Sequence, residues 1–129
     1  NNFNVTGNSY PVSGLASGTT YQYRMRASNS SGTSLNSNTV NVITLPADPV
    51  ATSANTFTTT GFTANWSAVV GASGYLLDVS SDDFSTFATG FNALQVTGTS
   101  ALVTGLSEGT SYQYRVRASN ESGNSGYSN

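Results

Sequence analysis

The 129-residue chain contains no cysteine, no histidine and no lysine. Without thiols it has no disulfide and no thiolate-bound metal. That absence leaves the compartment open, since secreted domains with a sufficient core also manage without cysteine. Without histidine or lysine, the commonest general base and the amine nucleophile are missing. The only cations are Arg24, Arg26, Arg115 and Arg117, and the net charge is −2. Nucleic-acid binding needs clustered positive charge, so it is excluded, and so is a membrane surface held by basic residues. No apolar run approaches the roughly 20 residues of a membrane-spanning helix. Charged residues make up only 8% of the chain. The six carboxylates are Asp48, Asp78, Asp82, Asp83, Glu108 and Glu121. None has the partner that acid–base chemistry needs, and no serine has an evident activating neighbour. The chain is therefore read as non-enzymatic, with no catalytic residue and no cofactor. An initiator methionine and a signal peptide are also absent, so a processed or excised segment is expected.

What the chain has instead is hydroxyls and amides: 21 Ser, 18 Thr and 14 Asn. It also has a repeat. Residues Val5–Asn38 return as Val96–Asn129 at a constant offset of 91, with 22 of the 34 pairs identical. TYQYRMRASNSSG (Thr20–Gly32) returns as SYQYRVRASNESG (Ser111–Gly123). A period of that size is one small domain, and the chain spans about 1.4 of them. Helical periodicity is absent, while alternation is strong. Phe62, Ala64 and Trp66 alternate with polar residues, as do Tyr75, Leu77 and Val79, and Tyr112, Tyr114, Val116 and Ala118. Each run reads as a strand with one buried face. Turn residues separate them at Gly71–Gly74, Ser81–Asp83, Gly105, Gly109 and Gly123. The stretch TLPADP (Thr44–Pro49) reads as a linker stiffened by two prolines. The fold expected from these signals is an all-β sandwich.

These residues resemble a fibronectin type III domain. Pro46 and Pro49 precede the first strand, Trp66 closes the second and Tyr75 begins the third. VTGLSEGTSYQYRVRASNESG (Val103–Gly123) is similar to the family's signature for strands E and F. Leu106 stands at the place of its leucine and Tyr112 at that of its tyrosine corner. The signature recurs at Val12–Gly32 with Leu15 and Tyr21. The wording is similar to repeats in large secreted or cell-surface proteins of Bacteroidetes-like bacteria. The resemblance implies an immunoglobulin-like β-sandwich in a tandem array of period 91. Residues 1–45 would be the C-terminal half of one unit (strands E, F and G), and residues 46–129 a second unit lacking strand G. The expected core is Trp66, Tyr75, Leu106, Tyr112 and Tyr114, with Leu15, Tyr21 and Tyr23 in the first unit. Losing an aromatic such as Tyr112 is expected to cost about 3–5 kcal/mol.

On this assignment the second strand F has an open edge at Tyr112, Tyr114, Val116 and Ala118, and an open edge invites another strand. Either the missing strands lie elsewhere in a longer array, or neighbouring copies complete one another. In the second case Val40, Val42 and Ile43 of TVNVIT would be the donor strand, and repeated exchange would build a filament.

Other candidates are weighed against simpler roles. Asp82 and Asp83 are the candidate Ca²⁺ ligands, or a solvated turn. Phe84, Phe87 and Phe91 are either an aromatic strip for sugar rings or packing over the sheet. The arginine pairs are either a carboxylate-recognition surface or solubilising charge. Asn4, Asn29, Asn65 and Asn120 open Asn-x-Ser/Thr sequons and are candidate glycosylation sites. The leading expectation is a structural module of a secreted or cell-surface protein, used for spacing, adhesion or filaments. Its partners would be neighbouring repeats or copies of itself. The alternative is a glycan- or protein-binding accessory module of a secreted enzyme.

Overall fold

The computed structural model describes residues 3–129. Its second part is a sandwich of two antiparallel sheets. One sheet holds β5 (Ala51–Thr58), β6 (Gly61–Trp66) and β9 (Ser100–Val103) in the order β5-β6-β9. The other holds β7 (Gly74–Ser80), β8 (Leu94–Val96), β10 (Gln113–Asn120) and β11 (Gly123–Asn124) in the order β11-β10-β7-β8. The pleat accounts for the division of residues. In β6, Phe62, Ala64 and Trp66 turn inward, and in β7, Tyr75, Leu77 and Val79 do the same. With Phe91, Val103, Leu106, Val116 and Ala118 they form one buried cluster. Trp66 and Tyr75 lie 5.7 Å apart between ring centroids, and Phe62 and Tyr114 5.9 Å, so aromatics fill the gap between the sheets. Leu106 and Tyr75 are buried, and Tyr112 and Tyr114 are half-buried.

The first part is thinner. β1 (Thr20–Tyr23) pairs with β4 (Val40–Ile43), and a small hairpin joins β2 (Ser28–Asn29) to β3 (Gly32–Thr33). No strand forms before β1 among the described residues, although a strand E was expected there. Its counterpart β9 is laddered against β6, and the first part offers no equivalent of β6 among the described residues. For the same reason Leu15 and Tyr23 are not core: they are 39% and 50% exposed, with no second sheet to cover them. Tyr21 is half-buried.

The expected open edge needs correcting. The main chain of Val116 and Ala118 is already partnered by the segment after β11. Ser125 donates its N–H to the Ala118 carbonyl (2.8 Å), and its Oγ accepts the Ala118 N–H (2.9 Å). Ser128 does the same for Val116, at 2.8 and 3.1 Å. Each serine thus supplies both halves of a ladder rung, one from its backbone and one from its side chain. Ser34 and Ser37 serve Ala27 and Met25 identically. Only Tyr112 and Tyr114 keep main-chain groups without a strand partner on that side among the described residues. The expected donor strand is itself engaged, because Val40 pairs with Tyr23, Val42 with Tyr21 and Ile43 with Thr20.

Candidate functional site

Asp82 closes the turn after β7. Its carboxylate accepts the Thr86 hydroxyl (2.6 Å), the Thr86 N–H (2.9 Å) and the Ser80 hydroxyl (2.7 Å). These bonds, led by that from the Thr86 side chain, hold its pKa down at about 2. Oxygens engaged by three local donors are those of a structural turn. Asp83 follows in a left-handed conformation (φ 57°). Among the described residues no three His, Cys, Asp or Glu side chains converge as a metal site would require.

Arg115 is the centre of a stacked assembly. Its Nε donates to Asp78 Oδ2 at 3.0 Å, and its guanidinium lies 4.1 Å from the Phe84 ring and 3.7 Å from the Tyr127 ring. Arg117 covers Tyr127 at 4.6 Å. Asp78 is almost fully buried, and its other oxygen accepts the Ala93 N–H at 2.8 Å. A charge-assisted bond and three cation–π contacts tie the C-terminal segment and the post-β7 turn to the outer face of the sheet. This use occupies Arg115 and Phe84. Phe91 is buried in the core and Phe87 half-buried, so the three phenylalanines form no exposed strip. Arg24 and Arg26 remain exposed, and Asn36 stands at the position equivalent to Tyr127.

Two of the four sequons are engaged. Asn65 Nδ2 donates to the Ser53 and Thr63 carbonyls, both at 3.2 Å. Asn120 Nδ2 donates to the Thr44 carbonyl (2.9 Å) and to the Gly71 carbonyl (3.2 Å). Asn4 and Asn29 are exposed.

The Asn120 bonds belong to the most elaborate polar arrangement in the chain, the junction between its two parts. The end of β4 is tied to the turn before β1: Thr44 Oγ1 donates to the Ala16 carbonyl (2.7 Å), and Gly18 N–H donates to the Leu45 carbonyl (2.8 Å). The second part grips that end by its carbonyls. Ser122 Oγ donates to the Ile43 carbonyl (2.6 Å) beside Asn120 on Thr44. Asn120 is itself oriented by its Oδ1, which accepts the Ser122 N–H (2.9 Å). Gly18 and Gly71 meet back to back. A Cβ on Gly18 would land on the Val70 carbonyl, and one on Gly71 on the Gly18 carbonyl. Pro46 and Pro49 of the connecting stretch are buried. Sequence reasoning identified the linker but not this clasp. The Asn-x-Ser of Asn120/Ser122 recurs at Asn29/Ser31, and in sequence it has the form of a sequon.

Comparison with known proteins agrees with this architecture. The family model of the fibronectin type III domain matches residues 47–129. The chain is 34% identical over 133 residues to chitinase A1 of Niallia circulans, covering 93% of this chain and 18% of that protein. It therefore spans under a fifth of the length of that relative. Among solved structures, a two-domain fibronectin type III segment of chicken tenascin superposes with a TM-score of 0.63 at 20% identity, covering 88% of this chain and 64% of that one. The crystal structure of FN3tt superposes with a TM-score of 0.53 at 32% identity, covering 66% and 89%.

Proposed function

The chain belongs to the fibronectin type III family, and on that premise we propose that it is a non-enzymatic spacer of an extracellular multidomain protein. It holds whatever flanks it at a set distance and angle. The junction carries this reading. A flexible tether would need only a polar linker. Here the linker prolines are buried, its carbonyls are gripped by Asn120 and Ser122, and two glycines allow the main chains to touch. That construction supports a fixed orientation. Amide ¹⁵N relaxation tests it: residues 3–45 and 46–129 are expected to share one rotational diffusion tensor. Two independently tumbling halves would defeat the proposal.

A second reading has one observation in its favour. The similarity to a chitinase over 93% of this chain supports a place beside the catalytic domain of a secreted polysaccharide-degrading enzyme. A spacer suits that setting. Direct sugar binding is the distinct claim, and retention of the purified chain on insoluble chitin would favour it.

A further inference from the structure

Two turns in this chain are built alike. Tyr21 Oη accepts the Ala16 N–H at 3.0 Å, and Tyr112 Oη accepts the Ser107 N–H at 3.2 Å. Thr19 Oγ1 donates to the Ser17 carbonyl (2.9 Å), and Thr110 Oγ1 to the Glu108 carbonyl (3.3 Å). Gly18 and Gly109 sit at φ 56° and 62°. All of these pairs are related by the 91-residue offset. The surroundings differ. Gly18 is buried against Val70 and Gly71, whereas nothing lies within 4 Å of where a Cβ on Gly109 would sit. Beside Gly109 opens a groove of about 250 Å³ with a mixed lining, Phe57, Leu106 and Tyr112 beside Thr59, Ser107 and Thr110. Phe57 is 73% exposed there.

We infer that the turn Ser107–Thr110 is a docking face for a further copy of this same repeat, received at that copy's Val70–Gly71 turn. The inference deepens the spacer proposal and rests on it. The occupant is fixed by the docked example. It must bring a turn without a side chain at the contact, because main chain meets main chain at Gly18. It must also bring an Asn-x-Ser turn to hold the carbonyls at the end of the preceding strand. The second unit has both features, in Gly71 and in Asn120 with Ser122. The first unit carries the same Asn-x-Ser turn, unused. Asn29 Oδ1 accepts the Ser31 N–H at 2.9 Å, matching Asn120 and Ser122, and Asn29 Nδ2 has no acceptor among the described residues. Such a turn is ready to grip the unit before it.

The test is a chain in which residues 39–129 follow directly after Asn129, which stands where Asn38 does in the repeat. Amide ¹⁵N relaxation of this longer chain is expected to show the added unit tumbling with the rest as one elongated body. Gly109→Asn accepts the same left-handed backbone while placing a side chain on the face. It is expected to release the added unit and to leave the melting temperature of the 129-residue chain unchanged. If that variant folds poorly, Gly71→Asn in the added copy alone is expected to give the same release. An added unit that tumbles freely without any substitution overturns the inference, as does one that stays coupled in both variants. The same spectra report the original junction. Loss of coupling there counts against the spacer proposal, and loss only at the new junction counts against this inference alone.

Discussion

Three tyrosine hydroxyls of the second unit end on main-chain groups. Tyr75 Oη accepts the Val69 N–H (2.9 Å), Tyr112 Oη the Ser107 N–H (3.2 Å) and Tyr114 Oη the Asn65 N–H (3.3 Å), while Tyr114 Oη also bonds the Thr52 carbonyl. In a chain without disulfides, each pins a loop or strand to the core by its ring and its hydroxyl together. Tyr75→Phe keeps the ring and strands the Val69 N–H, so a loss of about 1–2 kcal/mol is expected in chemical denaturation, with the slope unchanged. Asp82 gives a pH prediction. Its folded pKa, about 2, lies below its ordinary 3.8. Its contribution is therefore complete above the ordinary value and is lost as pH falls through about 2. Asp82→Asn is expected to flatten that segment of the stability profile, and a carboxyl titration followed by ¹³C NMR checks the midpoint. The sequons give a third. Asn29 is exposed, whereas at its counterpart Asn120 the Nδ2 that would carry sugar is held by two carbonyls. Expression in a glycosylating host is expected to modify Asn29 ahead of Asn120, as read by peptide mass mapping.

Among the elements, the ladder built by serines is the least ordinary. Replacing Ser125 and Ser128 with alanine removes the acceptors of the Ala118 and Val116 N–H groups but leaves the returning backbone bonds. Faster hydrogen exchange at those two amides is expected, together with a loss of about 1–2 kcal/mol. The strands of the sandwich differ in how legible they were. β6, β7 and β10 announce themselves because each buries one face, and burial with a two-residue pleat leaves an alternating trace. β5 leaves little trace, because ATSANTFT lies at a sheet edge and buries little. The serine rungs left none of that kind. A rung made by a side-chain oxygen has no hydrophobic signature, so counting strands alone made Val116 and Ala118 look unpaired. The pairing of half-buried Arg115 with buried Asp78 was equally hidden, since residues 37 positions apart become neighbours only once β7 and β10 are in register.

At the scale of the whole chain the junction decides behaviour. Asn120→Ala deletes one bond to the linker, at the Thr44 carbonyl, one to the second unit's own Gly71 turn, and the cap formed with the Ser122 N–H. Faster local tumbling of residues 3–45 in ¹⁵N relaxation is expected, with the second unit's amide spectrum otherwise preserved. The linker was legible from its prolines, but the clasp was not. A glycine in a turn is explained locally by its positive φ, and nothing in sequence separates that reason from a close approach of two chains.

The clasp recognises carbonyl oxygens and bare glycine backbone, features that polypeptides share. It is therefore largely blind to which side chains occupy the residues it holds. Ile43 and Leu45 are free to drift while the coupling persists, provided Thr44, the glycines and the Asn-x-Ser turn stay. Units bearing that pair of features would be interchangeable in order and number, and plain duplication could add one without any new interface having to evolve.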